Sequence, residues 1–308
     1  MTWTPSPPVC GVRQAWLALG SQTVQLENQA GGWFCSSLDL GYPEIRDVTN
    51  PRPDQDGLDD RTMYMGGRTV SIDITAITGA GARIDAVASQ FAPFMRPSAR
   101  PQLHYILDRP GAHERVMTVR PSGYAWPVVG ADQRDIQLQF MAADPVAYDP
   151  TTQTGSAWSG ATGAPGRNYP LTFNRIYPVG SGSSTTANLV SNGDLPVFPL
   201  LRVYGPISGA IVQLTNRYPD STSNLIAIYF KAGYNIGAGN WVDIDSARRT
   251  AYANSDHTQN VINQIDWTQT NQWPYIAPAP AYCQLLMQGT NTSGITQVQA
   301  FWNDRYLS

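Results

Sequence analysis

Charge is what this chain of 308 residues has least of. Charged residues make up 14% of it, against about 25% in an average soluble protein. Two readings of so uncharged a surface stay open: partners cover much of it, or it is the Ser/Thr/Asn/Gln coat of an ordinary β protein. Lys231 is the only lysine among 20 basic residues. The net charge is −3 and the pI about 5.5. Without clustered cations to displace phosphate counterions, specific nucleic-acid binding is not expected.

Cysteine and histidine are almost as scarce. Cys10, Cys35 and Cys283 are far apart and odd in number, with no C-x-x-C pair and no metal-like spacing. They read as reduced, packed thiols of a protein folded in a cytosolic compartment. His104 lies in an apolar strand, His113 in a turn and His257 in a polar loop. No H-E-x-x-H or Cys/His pair accompanies them, so neither a metal nor any other cofactor is expected. No G-x-S-x-G elbow, Walker A loop or G-x-G-x-x-G turn is present. Gly180-Ser181-Gly182-Ser183 lacks the lysine and following helix of a phosphate loop and reads as a flexible turn. The N-terminus has no charged n-region followed by an apolar h-region, so it does not read as a signal peptide. No apolar run reaches the roughly eighteen residues that would span a membrane.

Turn residues are plentiful, with 27 Gly and 24 Pro, and the segments between them alternate. Gln14–Leu19 and Thr23–Leu26 flank Gly20-Ser21, a hairpin signal. In Arg68–Ala76, Val70, Ile72, Ile74 and Ala76 face one way and Ser71, Asp73 and Thr75 the other. One helix follows at about Ala82–Ala92, with Ile84, Val87, Ala88 and Phe91 on one stripe, stopped by Pro93 and Pro97. Further strands are expected at Gln102–Leu107, Val116–Arg120 and Ile136–Phe140. These make residues 1–150 a first domain of strands with one helix. Residues 151–168, rich in Gly, Ser and Thr, read as a linker. Residues 169–308 read as all β. Their expected strands are Tyr169–Tyr177, Leu200–Tyr204, Ala210–Thr215, Asn224–Phe230, Trp241–Ile244, Thr250–Tyr252, Tyr282–Gln288 and Thr296–Trp302, which suit a sandwich or jelly roll. The fold class is mainly β.

Few residues are candidates for chemistry. The only glutamates are Glu27, Glu44 and Glu114, whereas a glycosidase needs two carboxylates across a cleft. Asp243 and Asp245 share a strand face about 7 Å apart, but Arg248 and Arg249 follow at once and favour a structural ion pair. Asp54, Asp56, Asp59 and Asp60 fail the calcium-loop pattern, because Gly57 stands at position 4 and Met65 at position 12 when counted from Asp54. Thr49–Gly67 therefore reads as a long solvated loop. Its mixture of charge with Met and aromatic anchors (Arg52, Asp54, Asp56, Asp59, Arg61 and Tyr64) also suits an intersubunit arm. Trp241, Trp267, Trp273 and Trp302 read either as core residues or as a platform for sugars.

Taken in order, several segments resemble the distal tail proteins of long, flexible-tailed bacteriophages (siphoviruses). They are G-G-R-T-V-S-I-D-I-T (Gly66–Thr75), F-A-P-F-M-R-P (Phe91–Pro97), A-A-D-P-V-A-Y-D-P (Ala142–Pro150), N-G-D-L-P-V-F-P-L-L-R-V-Y-G (Asn192–Gly205), W-V-D-I-D-S-A-R-R-T-A-Y (Trp241–Tyr252) and F-W-N-D-R-Y-L (Phe301–Leu307). The resemblance implies a first domain that closes into a hexameric ring continuing the tail tube, and a second domain that is a galectin-like β-sandwich outside that ring. It implies the tail tube, tail-tip hub and tape-measure proteins as partners, a place at the tip of the virion tail, and assembly in the cytoplasm of the bacterial host. A structural, non-enzymatic role is the leading expectation. A carbohydrate-binding host-recognition module is the alternative, and a cell-wall hydrolase the third.

Overall fold

The computed structural model describes residues 12–28, 30–46, 50–51, 58–59, 64–77, 84–127, 133–158, 186–254, 258–270, 272–290, 292 and 296–307. Two compact units account for them. One comprises Met1–Pro150 together with Tyr306–Ser308, the other Thr151–Arg305.

Unit 1 holds two antiparallel sheets around one core. The chain opens with β1 (Val12–Leu19) and β2 (Gln22–Gln25), joined across Gly20-Ser21 with Leu19 opposite Gln22. Gly20 takes φ +60°, the conformation a two-residue hairpin requires. Then follow β3 (Trp33–Asp39), β4 (Ile45–Arg46), β5 (Asn50–Pro51), β6 (Leu58–Asp59), β7 (Tyr64–Met65) and β8 (Arg68–Ile77). After α1 (Ile84–Phe91) come β9 (Gln102–Leu107), β10 (Glu114–Thr118), β11 (Arg120–Ala125), β12 (Gln133–Ala142) and β13 (Ala147–Tyr148). One sheet runs β2-β1-β9-β10-β13 and is completed by β25 (Arg305–Tyr306); the other runs β11-β12-β8-β3.

The alternation expected of Arg68–Ala76 is the inner face of β8: Val70, Ile72, Ile74 and Ala76 are fully buried. They meet Ile136, Leu138, Phe140 and Ala142 of β12, and Leu17, Leu103, Tyr105 and Met117 of the other sheet. The helix buries Val87, Ala88 and Phe91, with Trp33 edge-on to Phe91 at 6.2 Å. It ends at Phe91, and the chain tightens into a 3-10 turn, Ala92–Met95, that carries Pro93 at its start. The single strand expected at Val116–Arg120 is divided. Thr118 ends β10, Val119 donates to the Pro101 carbonyl at 2.9 Å, and Arg120 begins β11 in the other sheet.

Unit 2 is a β-sandwich. Its strands are β14 (Gln153–Trp158), β15 (Ala187–Leu189), β16 (Leu200–Tyr204), β17 (Ile207–Arg217), β18 (Ser223–Tyr229), β19 (Asn235–Ile236), β20 (Trp241–Asp245), β21 (Thr250–Ala253), β22 (Gln259–Asn260), β23 (Tyr282–Thr290) and β24 (Gln297–Trp302). One sheet is ordered β14-β24-β16-β20-β21-β22. The other is ordered β15-β23-β17-β18, with β19 also paired to β17. Inward residues of both sheets, such as Val203, Ile244, Val298, Val212, Leu214 and Leu285, form one core.

Two boundaries differ from the sequence expectation. Residues 153–158 are not linker: β14 pairs along its length with β24, from Gln153 opposite Trp302 to Trp158 opposite Gln297. The small residues that read as flexibility serve packing here, because a Cβ on Gly155 would collide with the Leu189 side chain. The second correction concerns Tyr306–Ser308, which belong to unit 1 and not to the sandwich. Residues 159–168 and the strand expected at Tyr169–Tyr177 lie outside the described residues.

Candidate assembly surfaces

The segment expected to be a solvated loop carries nested ladders. Ile45 and Arg46 of β4 pair with Met65 and Tyr64 of β7, and Asn50 and Pro51 of β5 with Asp59 and Leu58 of β6. Gly66 donates to the Glu44 carbonyl at 2.6 Å and Glu44 to the Gly67 carbonyl at 3.3 Å, so the ribbon grows directly out of β8. Of the proposed arm residues, Asp59 and Tyr64 are placed by their backbone in β6 and β7, while Arg52, Asp54, Asp56 and Arg61 lie outside the described residues. At the base of the ribbon Tyr42 is 91% exposed, Ile45 68% and Met65 45%. Clustered exposure of large apolar side chains marks a surface that gains from a partner.

Sheet edges provide a second type of surface. In the β11-β12-β8-β3 sheet, β11 and β3 each have one neighbour among the described residues. Tyr124 on β11 is 64% exposed and Phe34 on β3 38%. Both strands carry a register shift, between Pro121 and Gly123 and between Cys35 and Ser37. Such irregularities and prolines keep an edge from pairing indiscriminately, while its free N–H and C=O groups remain a template for a matched strand. The face away from the core is polar. It carries Thr69, Ser71 and Asp73 on β8 opposite Met141, Gln139 and Gln137 on β12, and Thr75 donates to Asp135 at 3.0 Å.

The residues weighed for chemistry are brought to separate structural tasks. His104 sits on β9 with Nδ1 2.7 Å from Glu114 Oε1 on β10, under Trp16 of β1 at 5.0 Å between ring centroids. His113 is exposed, and His257 lies outside the described residues. Among the described residues no three His, Cys, Asp or Glu side chains converge as a metal site. Cys35 and Cys283 are buried, and burial pushes the Cys283 thiol up to about 12. Cys10 lies outside the described residues.

The ion pair expected between Asp243 and the arginines that follow it is formed elsewhere. Asp243 accepts two hydrogen bonds, at 2.6 and 2.9 Å, from Arg202, its register partner on β16. The cross-strand position outcompetes the sequence-adjacent cations because it offers both guanidinium nitrogens in plane. This hydrogen bonding, ahead of every other influence, raises the Arg202 pKa further above its ordinary value. Asp245 does face one of those arginines, with Arg248 Nε 3.8 Å from its Oδ2, and it also turns the chain: its Oδ1 accepts from the Ala247 and Arg248 amides at 3.0 and 2.9 Å. Among the tryptophans Trp302 is core, Trp241 is half-buried, and Trp267 is 46% exposed with Trp273 at 5.3 Å between ring centroids.

Two of the quoted sequence segments meet in space. Asn192 donates to Asp304 at 3.1 Å, Asp194 and Leu195 donate to the Arg305 carbonyl at 2.8 and 3.2 Å, and the Arg305 guanidinium returns a bond to the Pro196 carbonyl at 2.8 Å. Gly193 is required there, since a Cβ would run into the Arg305 backbone.

No family model matches this sequence, and no curated protein does. The Dit protein (gp 19.1) of phage SPP1, described as a paradigm of the hub adsorption apparatus in phages infecting Gram-positive bacteria, superposes with a TM-score of 0.56. The match covers 95% of this chain and 99% of that one at 11% identity. Chains of the phage P2 baseplate in its activated conformation superpose more loosely. The calcium form gives a TM-score of 0.41 at 10% identity and the strontium form 0.41 at 12%; each match covers 95% of this chain and 98% of that one. The shared fold rests on the SPP1 superposition: this chain has the β-rich fold of that distal tail protein.

Proposed function

We propose that this protein is a structural, non-enzymatic component of a bacteriophage tail tip, in which six copies close into a ring between the tail tube and the tail-tip hub. The observation that carries the reading is the whole-chain superposition on SPP1 Dit. Three features of the chain support it. The β11-β12-β8-β3 sheet keeps two edges open among the described residues, the ribbon of β4–β7 projects exposed Tyr42, Ile45 and Met65, and the charge content is 14%. A closed ring uses one heterologous contact repeated around an axis, so an open edge and an arm on each protomer suffice. The tail tube protein, the hub protein and the tape-measure protein are the partners in this reading. The ring forms in the host cytoplasm and ends in the virion.

Electron microscopy and light scattering of the purified protein test it. A six-fold particle with a central hole, formed alone or on adding a tail-tip hub protein, is expected. A monomer that persists at high concentration under both conditions overturns the reading.

A further inference from the structure

Unit 2 contains an open pocket of about 490 Å³ that none of the assembly surfaces above uses. Its aromatic wall is Phe198, Trp273 and Tyr275; its polar groups are Arg249, Gln272 and Ser246. We infer that it is a binding site for a saccharide ring that carries an anionic group, carboxylate or phosphate.

Three separate segments are tied together to build it. Val197 and Ile276 exchange backbone hydrogen bonds at 2.9 and 2.8 Å, and Ser246 donates its amide to the Pro199 carbonyl at 3.3 Å. Phe198 is thereby fixed between the two connections, with the Arg305 guanidinium 5.5 Å from its ring. Tyr275 is held by Asn224, which donates to its hydroxyl at 2.9 Å, and by Asn216, which donates to its carbonyl at 3.0 Å. Trp273 is braced by Trp267. The aromatic surfaces are therefore positioned before any ligand arrives, which lowers the ordering cost of binding.

The polar groups have hydrogen-bonding capacity to spare. Ser246 is 2% exposed, yet its hydroxyl has no hydrogen-bond partner among the described residues. Buried polar groups are normally satisfied, so a lone hydroxyl at a pocket floor points to a missing partner. Arg249 is exposed and held at φ +58°, a conformation sparsely populated by residues other than glycine, by the turn that Asp245 caps. Among the described residues no carboxylate pairs with it, whereas its neighbour Arg248 lies 3.8 Å from Asp245.

This set of groups selects its ligand by chemistry. Flat aromatic faces pack against the C–H face of a pyranose through dispersion. An amide and a hydroxyl match ring hydroxyls as donors and acceptors. A free guanidinium is the group suited to a carboxylate or phosphate. The volume falls within the ordinary range of small-ligand pockets. A neutral glycan leaves Arg249 without a role, and a bare anion leaves the aromatic wall without one.

Indole N–H resonances of the full-length protein test the assignment, with the Trp273 signal identified from Trp273→Phe. The probes are glucuronate, glucose 6-phosphate, neutral glucose and inorganic phosphate. Saturable movement of the Trp273 signal by glucuronate, by glucose 6-phosphate or by both is expected, and which of them acts identifies the anion. Arg249→Asn, which suits the left-handed backbone, is expected to weaken binding by roughly tenfold while the other indole signals stay in place. No movement with any probe overturns the inference. So does equal movement with neutral glucose or with inorganic phosphate alone, or binding that Arg249→Asn leaves unchanged.

Discussion

The Arg115 guanidinium lies 4.0 Å from the centroid of the Tyr306 ring. Beside it, Arg68 donates to the Leu307 carbonyl at 2.9 Å. Both arginines are only 2% exposed, and both belong to the first unit, as do Tyr306 and Leu307. Residues that follow the sandwich in sequence thus cover two buried cations of the unit that precedes it. Burial lowers the Arg68 pKa below its ordinary value.

Tyr306→Ala therefore removes both a buried ring, 4% exposed, and the face on which Arg115 rests. A loss of about 3 kcal/mol is expected. Differential scanning calorimetry should show the transition of unit 1 lowered and that of unit 2 unmoved. Equal lowering of both, or of neither, contradicts the account.

Asp243→Ala leaves Arg202, whose guanidinium lies 5.3 Å from the Trp241 ring centroid and 5.8 Å from that of Phe301, without its planar partner. With Asp243 3% exposed and the Arg202 side chain 26% exposed, a cost of about 3 kcal/mol is expected. The double variant Arg202→Met with Asp243→Leu should recover most of it, because no charge is then stranded. Urea midpoints of the two variants make the comparison.

Alkaline stability has a stated sign. The Cys283 thiol titrates at about 12 in the folded protein, raised by burial from the ordinary thiol value of 9.0 that the unfolded chain keeps. Its contribution is complete below pH 9 and declines as the pH rises through that window, by up to about 1.4 kcal/mol per pH unit. Cys283→Ala should flatten this part of the profile. A profile between pH 9 and 12 that is identical with and without the thiol rejects the assignment.

The ribbon can be separated from the fold by substitution. Tyr42→Ser with Ile45→Ser alters exposed side chains only, so monomer stability should change by less than about 0.5 kcal/mol. Ring formation should weaken severely. Sedimentation velocity distinguishes this from a ribbon that has no part in assembly, for which the particle distribution stays unchanged.

Elements whose two faces differ in polarity are the ones legible in the sequence. The inner face of β8, the stripe of α1 and the strands β16, β17, β18, β20 and β21 can be read because alternation or helical period records their burial directly. Trp33–Asp39 escapes such a reading because Phe34 and the register shift between Cys35 and Ser37 break its alternation. Gln153–Trp158 resembles linker because its glycine and serine serve close packing, and composition alone does not distinguish that from flexibility. The partner of Asp243 is hidden because cross-strand register is invisible in a linear search. The same is true of the pocket around Ser246 and Trp273, which joins segments far apart in the chain. The arm residues carry a compositional signal only: Asp59 and Tyr64 lie in paired backbone, and Arg52, Asp54, Asp56 and Arg61 lie outside the described residues.

The position of β25 also bears on synthesis. Tyr306 and Leu307 emerge from the ribosome only after every residue of the sandwich. Until then the nascent first unit keeps β13 as an open margin and leaves Arg68 and Arg115 without their cover. Translation thereby imposes a delay: a protomer finishes its first unit last, and half-made chains have incomplete edges with which to pair.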